Sequence, residues 1–166
     1  MRKKSIELLN KAVADELAAV HQYMYFHFHL DDQGYELLSS MFRRIAIEEM
    51  LHAELLAERI LFLKGEVEME VSGPVEKITE PEEILKKAAA MEEKSVHDYN
   101  LWANESAANA DSATKKIFEQ LVADEEGHYD QFDTEVDQLK KFGDRYLSLQ
   151  SIERSKKLES GTPAAA

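Results

Sequence analysis

Cysteine is absent from all 166 residues. Disulfides, thiolate metal sites and thiol redox chemistry are therefore excluded. Glycine (6) and proline (3) are scarce, too few to punctuate an all-β fold. No apolar run approaches the roughly 18 residues that would span a bilayer. Met1-Arg-Lys-Lys leads straight into amphipathic sequence, without the apolar stretch of a signal peptide. A cytoplasmic protein with no membrane partner is expected. Basic residues are outnumbered, 20 against 33 acidic, for a net charge of −13. That surface repels nucleic acid backbones and attracts cations, so no nucleic acid partner is expected either. Most of the excess serves solubility.

An apolar content of 44% beside 32% charged residues, with helix formers dominant, describes one soluble helical domain. A chain of this length can bury about 68–70% of its unfolded surface. The first predicted helix is capped at Ser5 and runs to about Leu30, with Leu9, Val13, Glu16, Leu17, Val20 and Tyr23 as its buried stripe. Asp31 to Gly34 form a turn. A second helix extends from about Tyr35 to Lys64, with Leu38, Met41 or Phe42, Ile45, Glu49, His52, Leu56 and Ile60 facing inward. It carries a second apolar stripe, Ala46, Ile47, Met50, Ala53 and Ala57, which predicts contact with another subunit.

Residues 66–80 lack a helical period and contain Gly73-Pro74, as a long crossover would. A capping box from Thr79 to Glu82 should open a third helix reaching about Ala107, with Ile84, Leu85, Ala88, Glu92, Val96 and Tyr99 on one face. Glu92 and Glu93 cannot both point inward. Glu92 falls at the middle of the apolar sector and Glu93 near its edge, so Glu92 is the inward residue. The chain recaps at Asn109 to Ser112 for a fourth helix, ended by Gly143 and bearing Phe118, Leu121, Glu125, His128, Phe132, Val136 and Leu139. Asp144 is expected to cap a short fifth segment, Tyr146 to about Arg154. The predicted fold is all-α, a four-helix bundle with one long crossover and a short C-terminal helix. Residues 1–156 make up the domain and 157–166 a flexible tail.

The chemistry lies in two copies of one pattern, Glu49-x-x-His52 and Glu125-x-x-His128. Residues three apart stack on one helical face, so each pair can reach one ion. Glu16 precedes Glu49 by 33 residues, and Glu92 precedes Glu125 by the same 33. This doubled Glu…Glu-x-x-His is the ligand set of a dimetal carboxylate site. Surface ion pairs would put these residues at stripe edges, whereas all six fall on core stripes. Four carboxylates desolvated together must take up protons or find cations. Their donors suit Fe(II), Mn(II) or Zn(II). Glu49 and Glu125 are placed to bridge two ions, with Glu16 and His52 ending one side and Glu92 and His128 the other. Tyr23 lies seven residues past Glu16 on the same face, and His27 further along it.

These motifs resemble the bacterioferritins. Asp15-Glu16-Leu17, Glu49-Met50-Leu51-His52, Arg59 to Gly65 and Asp124 to His128 are similar to that family's ferroxidase and helix-end motifs, and the likeness runs to about residue 150. The resemblance implies a ferritin-like bundle that oxidises Fe(II) with O2 or peroxide at a centre of two Fe per subunit. It further implies a ferric mineral held in a hollow shell, usually of 24 subunits, and an electron donor for iron release. The matching methionine in that family ligates a haem b between two subunits, so Met50 is the expected haem ligand. Packing in a dimer contact is the plainer role for the same residue. The loop before helix four is shorter than is typical of bacterioferritins, and the alanine-rich end has no counterpart. Cages of 12 subunits with similar sites also exist, which keeps assembly size open. A rubrerythrin-like peroxidase shares the paired motifs, but its cysteine-ligated iron cannot exist here. A helical interaction module without metal is the remaining class.

Overall fold

The computed structural model describes residues 2–161. Among them the chain forms α1 (Arg2–Asp32), α2 (Glu36–Phe62), α3 (Pro81–Ala108), α4 (Ser112–Phe142) and α5 (Asp144–Glu159), with no strand. α1 and α2 form one antiparallel hairpin and α3 and α4 another. The crossover between Leu63 and Glu80 lets α2 and α3 run parallel, as the missing helical period implied. Two side-chain amides on α1 hold it down. Asn10 bonds the backbone of Glu66 and Glu68 at 2.9 and 3.1 Å, and Gln22 bonds both backbone groups of Glu76 at 3.0 and 2.7 Å.

The core consists of two apolar blocks stacked along the bundle. Leu8, Leu9, Val13, Leu56, Ile60, Tyr99, Phe118 and Leu121 fill one. Tyr23, Phe26, Leu38, Phe42, Ile45, Ile84, Leu85 and Phe132 fill the other, where Phe42 stacks on Phe132 at 5.0 Å between centroids. A shift of 76 residues lays Leu9, Ala12 and Phe42 over Leu85, Ala88 and Phe118. The two hairpins thus repeat one pattern, and a polar layer separates the blocks at its midpoint.

Several helix ends differ from the expectation. Ser5 is no cap. It lies inside α1, buried, and donates to Asp111 Oδ2 at 2.6 Å. The Thr79–Glu82 capping box does not form. The residue before a proline is kept out of the helical region, so Glu80 stays extended at φ −74°, ψ 124° and α3 starts at Pro81, leaving Thr79 outside. Asp111 does cap α4, accepting from Thr114 N–H at 3.1 Å. Gly143, at φ +55°, makes the turn into α5 in a conformation a side chain would strain. α5 therefore begins at Asp144 and continues to Glu159, past the Arg154 expected. Its one buried residue, Gln150, accepts from Leu38 N–H at the start of α2 at 3.1 Å. Of the expected tail, Lys157 to Glu159 belong to this helix, and residues 162–166 lie outside the described residues.

Candidate metal centre

The polar layer consists of Glu16 on α1, Glu49 and His52 on α2, Glu92 on α3, and Glu125 and His128 on α4. None of the six is more than 8% exposed. The structure brings together every residue of the doubled motif. Glu92 is buried and its neighbour Glu93 faces solvent, as the helical phase required. Two donor groups result. Glu16, Glu49, His52 and Glu125 form one, and Glu49, Glu92, Glu125 and His128 the other, each with its ligand atoms within 4.8 Å of one another. Glu49 and Glu125 belong to both.

Both imidazoles turn Nδ1 inward. His52 Nδ1 lies 2.9 Å from Glu49, 3.4 Å from Glu125 and 3.5 Å from Glu16. His128 Nδ1 lies 3.0 Å from Glu125, 3.3 Å from Glu49 and 3.9 Å from Glu92. The terminal glutamates are held crosswise by tyrosines. Tyr23 on α1 donates to Glu92 on α3 at 2.5 Å, and Tyr99 on α3 donates to Glu16 on α1. Outside the layer, His52 Nε2 meets Asp124 at 3.2 Å and His128 Nε2 meets Glu48 at 2.6 Å.

Tyr99, Glu48 and Asp124 were not singled out from the motif, yet the same 76-residue shift that pairs Glu16 with Glu92 carries Tyr23 onto Tyr99 and Glu48 onto Asp124. That repeat is the signal that finds them.

Electrostatics divide the carboxylates into two kinds. Burial pushes the Glu16 and Glu92 carboxyls well up, and the charges of Glu49 and Glu125 add to it. Burial would raise Glu49 and Glu125 too, but hydrogen bonds from the histidines outweigh it and hold both below the ordinary range. Burial alone would lower the imidazoles. The surrounding carboxylates reverse that, pushing His128 up to about 10 and His52 up as well. One atom of the layer stays unsatisfied: Glu92 Oε2 is buried with no hydrogen-bond partner. A cleft of about 550 Å³ between α2 and α4, lined by Glu48, Leu51, Asp124 and Gly127, reaches both histidines from outside.

Met50 lies away from this layer, 48% exposed, beside Ile47 at 37%. Ala46 and Ala53, expected on the same outer stripe, are instead buried within the chain's own packing. Positions 46 and 53 turn about 70–90° from the inward direction, close enough for the neighbouring helix to cover a small side chain. The free apolar surface of α2 is consequently narrower than the sequence pattern suggested.

A four-helix bundle with paired Glu-x-x-His motifs and two further glutamates at its centre defines the dimetal carboxylate class. The ferritin-like domain model matches residues 6–142. Bacterioferritin from Desulfovibrio desulfuricans is 36% identical over 89% of this chain and 82% of its own length. The Brucella melitensis bacterioferritin is likewise 36% identical, over 88% and 91%. The chain belongs to the bacterioferritin family. A solved D. desulfuricans bacterioferritin, described as having a diiron site in different catalytic states, superposes with a TM-score of 0.90 at 32% identity, covering 99% of this chain and 91% of that one. The Rhodobacter capsulatus bacterioferritin, described with a metal-free dinuclear site and haem iron in a crystallographic special position, gives 0.85 at 33% identity over 90% and 93%.

Proposed function

We propose that this protein is a ferroxidase that takes up two Fe(II) per chain, oxidises them with O2 or peroxide, and stores the ferric product inside a shell of its own subunits. The observation that carries this reading is the pair of donor groups sharing Glu49 and Glu125. Glu16 and His52 would complete one ion's ligands, and Glu92 and His128 the other's. The residues fit two divalent cations. Oxygen and imidazole donors suit Fe(II), the buried Glu92 Oε2 has no hydrogen-bond partner, and four carboxylates balance two doubly charged ions. Two neighbouring irons can together supply two electrons to one oxidant molecule. The chain's residues do the rest. Tyr23 and Tyr99 orient the terminal carboxylates, the outer acids orient the imidazoles, and the α2–α4 cleft admits hydrated ions. Iron kept this way belongs in the cytoplasm, where a reductant can release it.

Met50 is the proposed haem ligand. The residue is 48% exposed on the outer side of α2, and a second copy across a twofold axis would bring another thioether to the same haem b. The proposed shell has 24 subunits. One experiment tests the main reading: Fe(II) is added to the apo-protein, absorbance follows oxidation, and the assembly is weighed. Two rapidly oxidised Fe(II) per chain in a large shell is the expected result. A particle of 12 subunits would revise the size alone, whereas absence of a fast phase would reject the ferroxidase.

A further inference from the structure

Resting on this ferroxidase reading, we infer that Glu48 and Asp124 are positioning residues that make the two halves of the centre unequal, with the His128 half holding its metal more tightly. Six inner ligands and two tyrosines obey the 76-residue repeat without change. The outer acids that meet the two histidines do not match. Glutamate 48 stands where its counterpart is aspartate 124, one methylene shorter.

Each outer acid reaches across the bundle to the other helix. Asp124 on α4 meets His52 Nε2 at 3.2 Å, and Glu48 on α2 meets His128 Nε2 at 2.6 Å. Solvent does not account for the difference, because the two side chains are equally exposed, at 40% and 41%. The longer glutamate closes the gap and the aspartate does not. Its free end is also steadied, since Glu48 Oε1 lies 4.0 Å from Arg44 Nε, and Arg44 is tied by a hydrogen bond to Gln131 on α4. The repeat puts Gln120, an uncharged side chain, at the position matching Arg44.

The consequence follows from the ring's two nitrogens. An imidazole that binds metal through Nδ1 is neutral and carries its proton on Nε2. An outer carboxylate that accepts this proton selects that tautomer, fixes the ring plane and makes Nδ1 a better donor. A short charge-assisted bond does this more strongly than one at 3.2 Å. Removing such an outer partner from a metal-bound histidine costs about 10–100-fold in affinity.

The test is an anaerobic titration of the full-length assembled protein with Co(II), a divalent ion that O2-free solution leaves unoxidised, followed by calorimetry and by the visible ligand-field bands. Wild type should bind two Co(II) per chain in two separable steps. Glu48→Ala should weaken the first step by about 10–100-fold and change its bands. Asp124→Ala should weaken only the second step, and by a smaller factor. Glu48→Gln, which keeps an accepting oxygen without the charge, should recover part of the loss, as no purely structural role would require. In Glu48→Asp the two steps should merge. Both side chains reach solvent, so these variants should fold, and the near-isosteric Glu48→Gln guards against one that does not. Two equal steps in wild type, or Glu48→Ala and Asp124→Ala affecting both steps alike, would overturn the inference while leaving the dimetal centre standing. Failure of wild type to bind Co(II) at all would overturn both.

Discussion

A single residue's burial decides whether it serves the centre, and Glu92 and Glu93 are the sharpest case. Replacing the buried Glu92 by alanine removes a donor from one ion and leaves Tyr23 without its acceptor. Fast Fe(II) oxidation in Glu92→Ala should slow by about 100-fold or more, beyond the loss typical of an outer partner. Glu93→Ala, altered only at the surface, should keep the wild-type rate. Stopped-flow absorbance compares the two, and the opposite ranking would reverse the facing of α3.

The same layer also predicts proton release. Glu16, Glu92, His52 and His128 all have raised proton affinities, so a metal ion binding at these donors competes with protons. Loading divalent ions should then release protons from the layer. The sign is fixed by the direction of the shifts: lowering the pH favours the protonated, metal-free form, so affinity must fall as pH falls. Calorimetry in buffers of different ionisation enthalpy measures the release. A release near zero would mean that the donors are already deprotonated.

At the scale of helices, one buried cluster pins three of them together. Asp111 caps α4, accepts from Ser5 on α1 at 2.6 Å and from Thr114 Oγ1 at 2.7 Å, and pairs with Arg59 near the end of α2 at 2.8 Å. Close packing at the same end leaves no room at Gly65, where a Cβ would come within 2.8 Å of Ile6. Asp111→Ala removes the cap and strands the Arg59 charge, for a loss of about 2–4 kcal/mol. Burial works against ionising Asp111, but bonds from Ser5 and Thr114 and the Arg59 charge prevail, lowering its pKa from 3.8 to about 2. A depressed carboxylate stabilises the fold above its unfolded pKa, and that stability drains away as pH falls from about 4 to about 2. Thermal melts of wild type and Asp111→Asn should therefore differ at pH 6 and converge near pH 2.

The whole molecule leaves apolar surface uncovered. Met50 and Ile47 on α2, Phe28 on α1, and Leu149 and Ile152 on α5 are all substantially exposed, and subunit contacts in an assembly would cover such residues. Removing residues 144–166 should leave the bundle folded and its centre competent in Fe(II) oxidation, while the assembly falls to dimers, readable by light scattering. It also strips Leu38 N–H of its Gln150 acceptor, so a modest drop in melting temperature is expected. Met50→Leu keeps volume and loses sulfur. It should abolish low-spin haem absorption with the shell and the fast oxidation unchanged. Unaltered haem binding in that variant would reduce Met50 to a packing residue.

The bundle and its six central donors were legible in the sequence because both rest on periodicity. A stripe of apolar residues at helical spacing must face a core, and a glutamate in the middle of such a stripe must be buried with it. Helix ends were less legible. Where Pro81 started α3 and how far α5 ran depended on backbone restraint and on contacts such as Gln150 with Leu38, separated by over a hundred residues. The narrowing of the outer stripe at Ala46 and Ala53 was likewise a matter of which neighbouring helix lay close. Only the tertiary structure could decide the crosswise partnerships, Tyr23 with Glu92, Tyr99 with Glu16, Glu48 with His128 and Asp124 with His52. The repeat places each of those residues at the right level of its own helix, but a level says nothing about which helix stands opposite. That is settled when the two hairpins close on each other.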